Sequence, residues 1–430
     1  MTRFGIAGAL AAFAAAGAFA QEGAQCPDSA PRGVECRSGT DAHGAPYLLA
    51  LPRGWNGILV VYARDGPDLK PPVAERVADD FGRWTAFLKA GYAWAGTGYR
   101  HGGYDIPGAV EDLESVRALF AARFGAARRV VLHGQGWGGN VAARAIEIHP
   151  HAYDGALLTS GELAGGSRGE DYRMDLRVVY QYYCRNHPRP GEPAYPLWMG
   201  LPPGESMTGA DVRVRFDECT GSNLPMPARS LAQRRALASI MAATRIPERT
   251  LAAHLAWGTV VFADIVKRLG GRNPFSTDGV RYSGTQDDAA LNAGVPRYRP
   301  DAAALAELSA ASDPTGRIEV PVLTLHGIGD PTAFVEHESA YREAVDRAGR
   351  GERLAQVFTA QPEHRSLGSA EYLAALAALT AWIDGGKRPT PAEVAARCRE
   401  SLPRFEGESC RIEPAYRPPS WESRVYPRVR

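Results

Sequence analysis

Two side chains that could move protons follow apolar segments in the second half of the chain. Asp330 comes shortly after segment 320–326, and His364 comes shortly after segment 354–358. A carboxylate that holds an imidazole in one tautomer, beside a nucleophile, is the arrangement that activates a hydroxyl for acyl transfer. A lone loop histidine is more often structural, but this order favours a functional role for His364. Glu162, which follows an earlier apolar segment, stays open as an alternative acid.

A glycine-rich turn supplies the position of a nucleophile but not the nucleophile. The turn from Gly134 to Gly139 connects an apolar strand to a helix. Its glycine spacing is that of a nucleophile elbow, G-x-S-x-G, in which serine stands at the centre. Here Gly136 occupies that centre. Glycine has no side-chain oxygen, so no acyl-enzyme can form at this position, although glycine tolerates the positive φ that the turn requires.

The same turn also matches a dinucleotide-binding fingerprint, with Gly134, Gly136 and Gly139 as its three glycines. This nucleotide-dependent alternative is weaker, because two good strands precede the turn and Glu162, the acid for a ribose hydroxyl, comes late. We therefore expect no cofactor. Other residues that could replace the missing serine are less convincing because of their positions: Ser160, Ser366 and Cys184.

Strands and helices alternate along both ends of the chain, which predicts a mostly parallel sheet with helices on both faces. The predicted strands are 57–62, 92–95, 129–133, 154–159, 320–326 and 354–358, and the predicted helices are 77–90, 109–124, 140–148, 334–348 and 370–383. No comparable strand lies within residues 163–317, a stretch too long for a simple connection. We therefore predict a large inserted helical cap.

The order of elbow, acid and histidine resembles that of the α/β-hydrolase superfamily, over residues 45–162 and 318–385. More narrowly, the chain resembles exported bacterial esterase-like hydrolases whose elbow reads HGQSWGG and which carry a DPTAFVEH block. Here these are residues 133–139 and 330–337. The resemblance implies an α/β-hydrolase fold and hydrolysis of a small-molecule ester, or less often an amide, through an acyl-enzyme.

The resemblance also assigns roles to individual residues. Asp330 would orient His364, and His364 would take the proton of the nucleophile. The oxyanion would be held by the backbone N–H groups of Trp137 and of a residue after strand 57–62, Arg64. Gly136 departs from the family pattern at the one residue that the covalent mechanism requires.

The first twenty residues have the pattern of a signal peptide. Arg3 precedes a short apolar segment, and Ala18-Phe19-Ala20 fits the small-residue cleavage pattern, so we expect cleavage after Ala20 and a secreted or periplasmic protein. The predicted organisation is a signal peptide (1–20), the first half of the core (21–162), the helical cap (163–317), the second half of the core (318–385) and a C-terminal tail (386–430). The arginine-rich tail is expected to be a solvated strap.

Six cysteines form three couples that are local in sequence. In an oxidising compartment we expect them to pair as Cys26–Cys36, Cys184–Cys219 and Cys398–Cys410. The paired spacing of a zinc site is missing, so no metal is expected. The 49 Lys and Arg residues balance 48 Asp and Glu residues, which gives no indication of a nucleic-acid partner. No later apolar run reaches the length of a membrane span.

These observations predict an exported hydrolase of the carboxylic-ester class whose covalent catalysis is disabled at Gly136. The alternative is a ligand-binding protein that kept the pocket and lost the chemistry. The acyl and alcohol specificity and the oligomeric state are not readable from the sequence.

Overall fold

One eight-stranded sheet organises the chain. The computed structural model describes residues 25–430, so the predicted signal peptide lies outside the described residues. The strands are β1 (Val34–Thr40), β2 (Pro46–Pro52), β3 (Ile58–Ala63), β4 (Ala93–Thr97), β5 (Arg129–Gln135), β6 (Gly155–Thr159), β7 (Val322–Gly327) and β8 (Leu354–Thr359). Their order is β1-β2-β4-β3-β5-β6-β7-β8. β2 is antiparallel to β1 and to β4, and the remaining pairs are parallel.

Helices cover both faces of the sheet because its central strands are apolar on both sides. Along β3, Leu59 and Val61 belong to one core and Val60 and Tyr62 to the other, as the alternation of a strand requires. The helices flanking these strands are α1 (Ala74–Arg83), α2 (Thr85–Lys89), α3 (Ile106–Phe124) and α4 (Trp137–Ile148). The prediction of a mostly parallel, two-sided sheet with the α/β-hydrolase fold is confirmed.

A helical cap is inserted between β6 and β7. Its helices are α5 (Gly165–Gly169), α6 (Asp171–Cys184), α7 (Gly209–Thr220), α8 (Leu231–Thr244), α9 (Glu248–Ala256), α10 (Phe262–Arg268), α11 (Asp288–Gly294) and α12 (Ala302–Ser312). A π-helical turn, Trp257–Val261, joins α9 to α10. Capping boxes start α7 at Thr208 and α8 at Ser230, so these helices satisfy their own first N–H groups.

After β7 the chain forms α13 (His337–Arg347), α14 (Ser369–Gly385) and, in the C-terminal tail, α15 (Pro391–Ser401). Beyond α15 the tail returns to the rest of the molecule: Ile412 forms an antiparallel bridge with Thr359 at the end of β8. Near its end, Arg428 is buried between Asp171 and Asp175 of α6. The tail is therefore a strap, but the expectation that it is solvated is wrong at Arg428. No helix within residues 25–430 has the length and apolar character needed to cross a membrane.

The structure contains two of the three expected disulfides. Cys26 is bonded to Cys36, and Cys184 is bonded to Cys219. The expected third bond is absent, because Cys398 and Cys410 are separate thiols. Cys398 is buried on α15, whereas the Cys410 thiol faces the Ala395 carbonyl of the same helix at 3.8 Å. The prediction of a Cys398–Cys410 disulfide is therefore wrong, although the two thiols lie close enough to interact.

Candidate active site

Four loops meet where the parallel strands end, which is where open α/β sheets place ligands. Asp65 follows β3, Gly136 follows β5, Asp330 follows β7 and His364 follows β8. The structure brings the three sequence-predicted residues Gly136, Asp330 and His364 to one place. It adds Asp65, which the sequence analysis did not single out.

The turn after β5 has the strained backbone of an elbow. Gly136 has φ 56° and ψ −124°, a region that favours glycine. Its N–H donates to the Thr159 carbonyl at 3.1 Å, and its own carbonyl accepts from the Glu162 N–H at 3.0 Å. The turn is also crowded: a Cβ on Gly138 would overlap with the Ala63 carbonyl of β3. The backbone therefore holds the shape of an elbow without any side chain at position 136.

His364 is oriented by Asp330. The Nδ1 atom of His364 lies 2.7 Å from Oδ2 of Asp330, and the Asp330 side chain is buried. The other oxygen of Asp330 accepts from the N–H groups of Thr332 at 2.9 Å and Ala333 at 3.1 Å, so the carboxylate is fixed. The alternative acid Glu162 is instead paired with Arg173 at 2.6 Å.

The carboxylate of Asp65 fills the space beside Gly136. Its Oδ1 accepts from the N–H groups of Gly66 at 2.9 Å and Trp137 at 3.2 Å. Its Oδ2 lies 3.4 Å from Nε2 of His364. A Cβ added to Gly136 would overlap with Oδ1. The carboxylate of Asp65 thus lies where a side chain at position 136 would project.

The backbone donors differ in part from those implied by the resemblance. The N–H of Trp137 does point at an oxygen, and that oxygen belongs to Asp65. The second donor to this oxygen is Gly66. The guanidinium of Arg64 is buried and its Nε donates to Asp80 at 2.9 Å, while the role implied for the backbone N–H of Arg64 stays a prediction.

The site holds a protonated imidazole between two carboxylates. Burial by itself lowers the pKa of His364, but the charges and hydrogen bonds of Asp330 and Asp65 raise it to about 10. Burial raises the pKa of Asp65, but the hydrogen bond and charge of His364 outweigh it and hold this pKa below its ordinary value. At neutral pH His364 is therefore a proton donor, and Asp65 is ionised.

Asp65 and His364 open onto a cleft of about 410 Å³ between sheet and cap. Glu162, which follows β6, and Trp257 of the cap line one wall of this cleft. Arg173 is fully buried beside this wall, and its Cζ lies 4.0 Å from the centroid of the Trp257 ring. The guanidinium of Arg173 is also paired with Glu170 at 3.0 Å. Burial raises the pKa of Glu170. A larger cavity of about 650 Å³ lies elsewhere, beside β8 and the C-terminal tail.

The geometry does not support the nucleotide-dependent alternative. The N–H of Trp137, at the start of α4, is already taken by Asp65. Glu162, the acid for a ribose hydroxyl, is committed to Arg173. Within residues 25–430 no group of three or more His, Cys, Asp or Glu side chains is arranged to hold a metal ion.

Comparison with known proteins gives a short match in sequence and structural matches with TM-scores below 0.5. No family model matches the chain. The o-phthalyl amidase of Xanthobacter agilis is 31% identical over 117 residues, a match that spans 26% of this chain and 24% of the amidase. The chain therefore matches about a quarter of that relative's length.

Solved structures with a similar fold include esterases and a lipase. An esterase from Aspergillus oryzae is 13% identical, with a TM-score of 0.41 and 86% of each chain covered. Feruloyl esterase B from Aspergillus oryzae is 16% identical, with a TM-score of 0.42 and coverage of 83% of this chain and 81% of the esterase. Lipase A from Candida antarctica is 11% identical, with a TM-score of 0.45 and coverage of 87% and 83%.

Proposed function

We propose that this chain, which has the α/β-hydrolase fold, carries a carboxylic-ester hydrolase site in which residue 136 cannot form an acyl-enzyme. The observation that carries the proposal is that a proton carrier and two backbone donors meet at one point. Nε2 of His364 and the N–H groups of Trp137 and Gly66 all point at one carboxylate beside Gly136. A proton carrier and two backbone donors around one point are parts that acyl transfer needs in addition to a nucleophile.

Each part has a defined task in this proposal. Asp330 positions the imidazole of His364, and His364 carries the proton of the reaction. The N–H groups of Trp137 and Gly66 stabilise an oxyanion. The similarity to an amidase over a quarter of the chain is consistent with hydrolysis of an acyl group, so esters and amides are both candidate substrates.

We also propose that the protein acts outside the cytoplasm. The segment 1–20 has the pattern of a signal peptide, and the disulfides Cys26–Cys36 and Cys184–Cys219 are typical of an oxidising compartment.

The test is to install the missing hydroxyl and to make room for it. A serine at position 136 alone would overlap with Asp65, so Gly136→Ser is combined with Asp65→Ala. Loss of Asp65 also removes one of the two carboxylates that keep His364 protonated, so the imidazole can act as a base. Hydrolysis of para-nitrophenyl acetate should be about 100-fold or more faster than with alanine at position 136 in the same Asp65→Ala background, the range for a positioned general base.

The matched control is Gly136→Ala with Asp65→Ala, which has the same Cβ and the same space but no hydroxyl. Equal rates for the serine and alanine pairs would show that a hydroxyl at position 136 does not face an acyl-transfer site.

The second candidate is a ligand-binding protein, which the absence of a hydroxyl at Gly136 favours. A ligand-binding protein would bind an ester saturably without turnover, and its affinity for that ester would be the same in the serine and alanine pairs.

A further inference from the structure

We propose that Asp65 is itself the nucleophile of this site and that its Oδ2 attacks the carbonyl carbon of an aryl ester. The inference rests on the proposed ester hydrolysis and names both the attacking group and the substrate class. Its starting point is the position of the carboxylate: it occupies the place of the missing side chain and contacts both the imidazole and the backbone donors.

The two oxygens of Asp65 are in different situations. Oδ1 is held by the N–H groups of Gly66 and Trp137. Oδ2 faces His364 and the cleft, and 18% of the Asp65 side chain is exposed. One oxygen is thus fixed by the backbone while the other is available to an incoming carbon atom.

The charges in the resting site suit a carboxylate nucleophile better than a hydroxyl. A serine needs a base to remove its proton, and His364 at neutral pH already carries that proton. An ionised carboxylate needs no base. The protonated imidazole 3.4 Å away is instead ready to protonate a leaving group.

In the first step Oδ2 of Asp65 bonds to the acyl carbon, and the bond from that carbon to the aryl oxygen breaks. The proton on Nε2 of His364 passes to the aryl oxygen, which leaves as a phenol. The product on the enzyme is a mixed anhydride of Asp65 and the acyl group. Arg365, whose Nε lies 3.8 Å from Oδ2, is the cation placed to stabilise the charge on the acyl oxygen.

In the second step the neutral His364 takes a proton from water, and the water oxygen attacks the side-chain carbonyl carbon of Asp65. The negative charge develops on Oδ1, where the N–H groups of Gly66 and Trp137 already point. The bond to the acyl oxygen then breaks and the carboxylate product leaves. The second proton of the water passes to solvent, so the sum is ester plus water giving phenol plus acid.

The substrate class follows from leaving-group chemistry. A carboxylate is a weak base, so the anhydride forms only when the departing oxygen is stabilised. Phenols titrate near pH 10, as tyrosine does, and the pKa of His364 is also about 10. Proton transfer to a phenolate is therefore nearly balanced, whereas an alkoxide would reverse the first step.

The experiment is a single turnover of para-nitrophenyl acetate by excess full-length protein in H₂¹⁸O, followed by peptide mass spectrometry. We expect the label in the peptide that contains Asp65, because water attacks the Asp65 carbonyl carbon. The acetate released in that first turnover should carry no label. Asp79→Asn, a change at an exposed position of α1, is the matched control and should label Asp65 like the parent chain.

Two variants separate the steps. Asp65→Asn should lose the label and lower turnover by about 100-fold or more, as loss of a nucleophile does. His364→Gln should still react with para-nitrophenyl acetate, whose leaving group needs no proton, and should accumulate one acetyl group on Asp65. With phenyl acetate the same variant should accumulate none.

Three results would overturn the proposal: label in the acetate alone, faster hydrolysis by Asp65→Asn, or neither turnover nor an acetyl adduct. The first assigns the attack directly to water, and the second makes Asp65 a blocking group. These outcomes are independent of the proposed function, because the serine and alanine pairs at position 136 both lack Asp65.

Discussion

At the scale of single residues, the protonation of His364 depends on two acids from two different loops. Asp330 contacts Nδ1 and Asp65 contacts Nε2, and Arg365 is the nearby cation that opposes them. Burial lowers the pKa of His364, but the two carboxylates outweigh burial and raise this pKa to about 10. This group therefore stabilises the fold fully below its ordinary pKa of about 6.5, and the contribution is lost as the pH rises through about 10.

Asp330→Asn should lower the pKa of His364, because it removes the charge closest to the ring. The measurement is an NMR titration of the histidine rings, with Asp79→Asn as the control that leaves the His364 titration in place. Urea unfolding of the parent chain between pH 7 and pH 11 should show the loss of stability, and Asp330→Asn should flatten that loss. If the His364 ring titrates near pH 6.5 in the parent chain, the result would contradict the pairing of His364 with Asp330 and Asp65.

The sequence identified Asp330 and His364 because their order after the strands is informative. It could not identify Asp65, although Asp65 also follows a strand directly. Many residues follow strands, and only the fold decides which side chain turns toward the elbow. The absence of a side chain at Gly136 leaves the space that Asp65 occupies, so the departure from the serine pattern was an indirect signal for a neighbouring group.

At the scale of elements, the end of the C-terminal tail holds α6. Arg428 is only 2% exposed in its side chain and lies 3.3 Å from Asp171 and 2.7 Å from Asp175. Because α6 also carries Arg173, which packs behind Trp257 of the cleft wall, the tail helps to fix that wall.

Arg428→Gln should lower the free energy of unfolding by about 3–5 kcal/mol, because it leaves the buried carboxylate of Asp175 without its cation and leaves Asp171 with Arg430 alone. The control is Arg417→Gln on the exposed part of the same tail, which should change it by less than about 0.5 kcal/mol. Urea unfolding measures both. Equal, small effects would mean that the buried ion pairs contribute little to stability.

The predicted and observed bounds of the helices and strands show which elements the local sequence pattern can predict. The strands from β3 onward follow their predicted positions because buried parallel strands are continuous apolar runs. The helix predicted at 77–90 is two helices, α1 and α2, separated at Trp84. β1 was not predicted, since this edge strand has few buried side chains and no apolar alternation.

At the scale of the whole molecule, the cysteines divide into four bonded residues and two thiols. Burial raises the pKa of Cys398, which makes this thiol unreactive in the folded protein. Alkylation of the unreduced protein in denaturant should therefore modify two cysteines, and peptide mapping should find them at positions 398 and 410. No modification would show that the third disulfide forms after all.

The topology of the molecule was predictable and its internal connections were less so. Alternating strands and helices, with a long gap between β6 and β7, define an α/β sheet with an inserted helical cap. Contacts such as that of Arg428 with α6 join residues more than 250 positions apart, and no periodicity in the sequence reports them. Such contacts depend on the shape of the assembled cap.

The carboxylate of Asp65 also determines what can remain in the cleft after reaction. An acid released there is an anion, and it meets a like charge at Oδ2 while both backbone donors are already engaged at Oδ1. Neutral esters meet no such repulsion. Accumulating acid should therefore inhibit the reaction only weakly, and product would leave without competing for the donors that a free oxyanion hole offers to carboxylates.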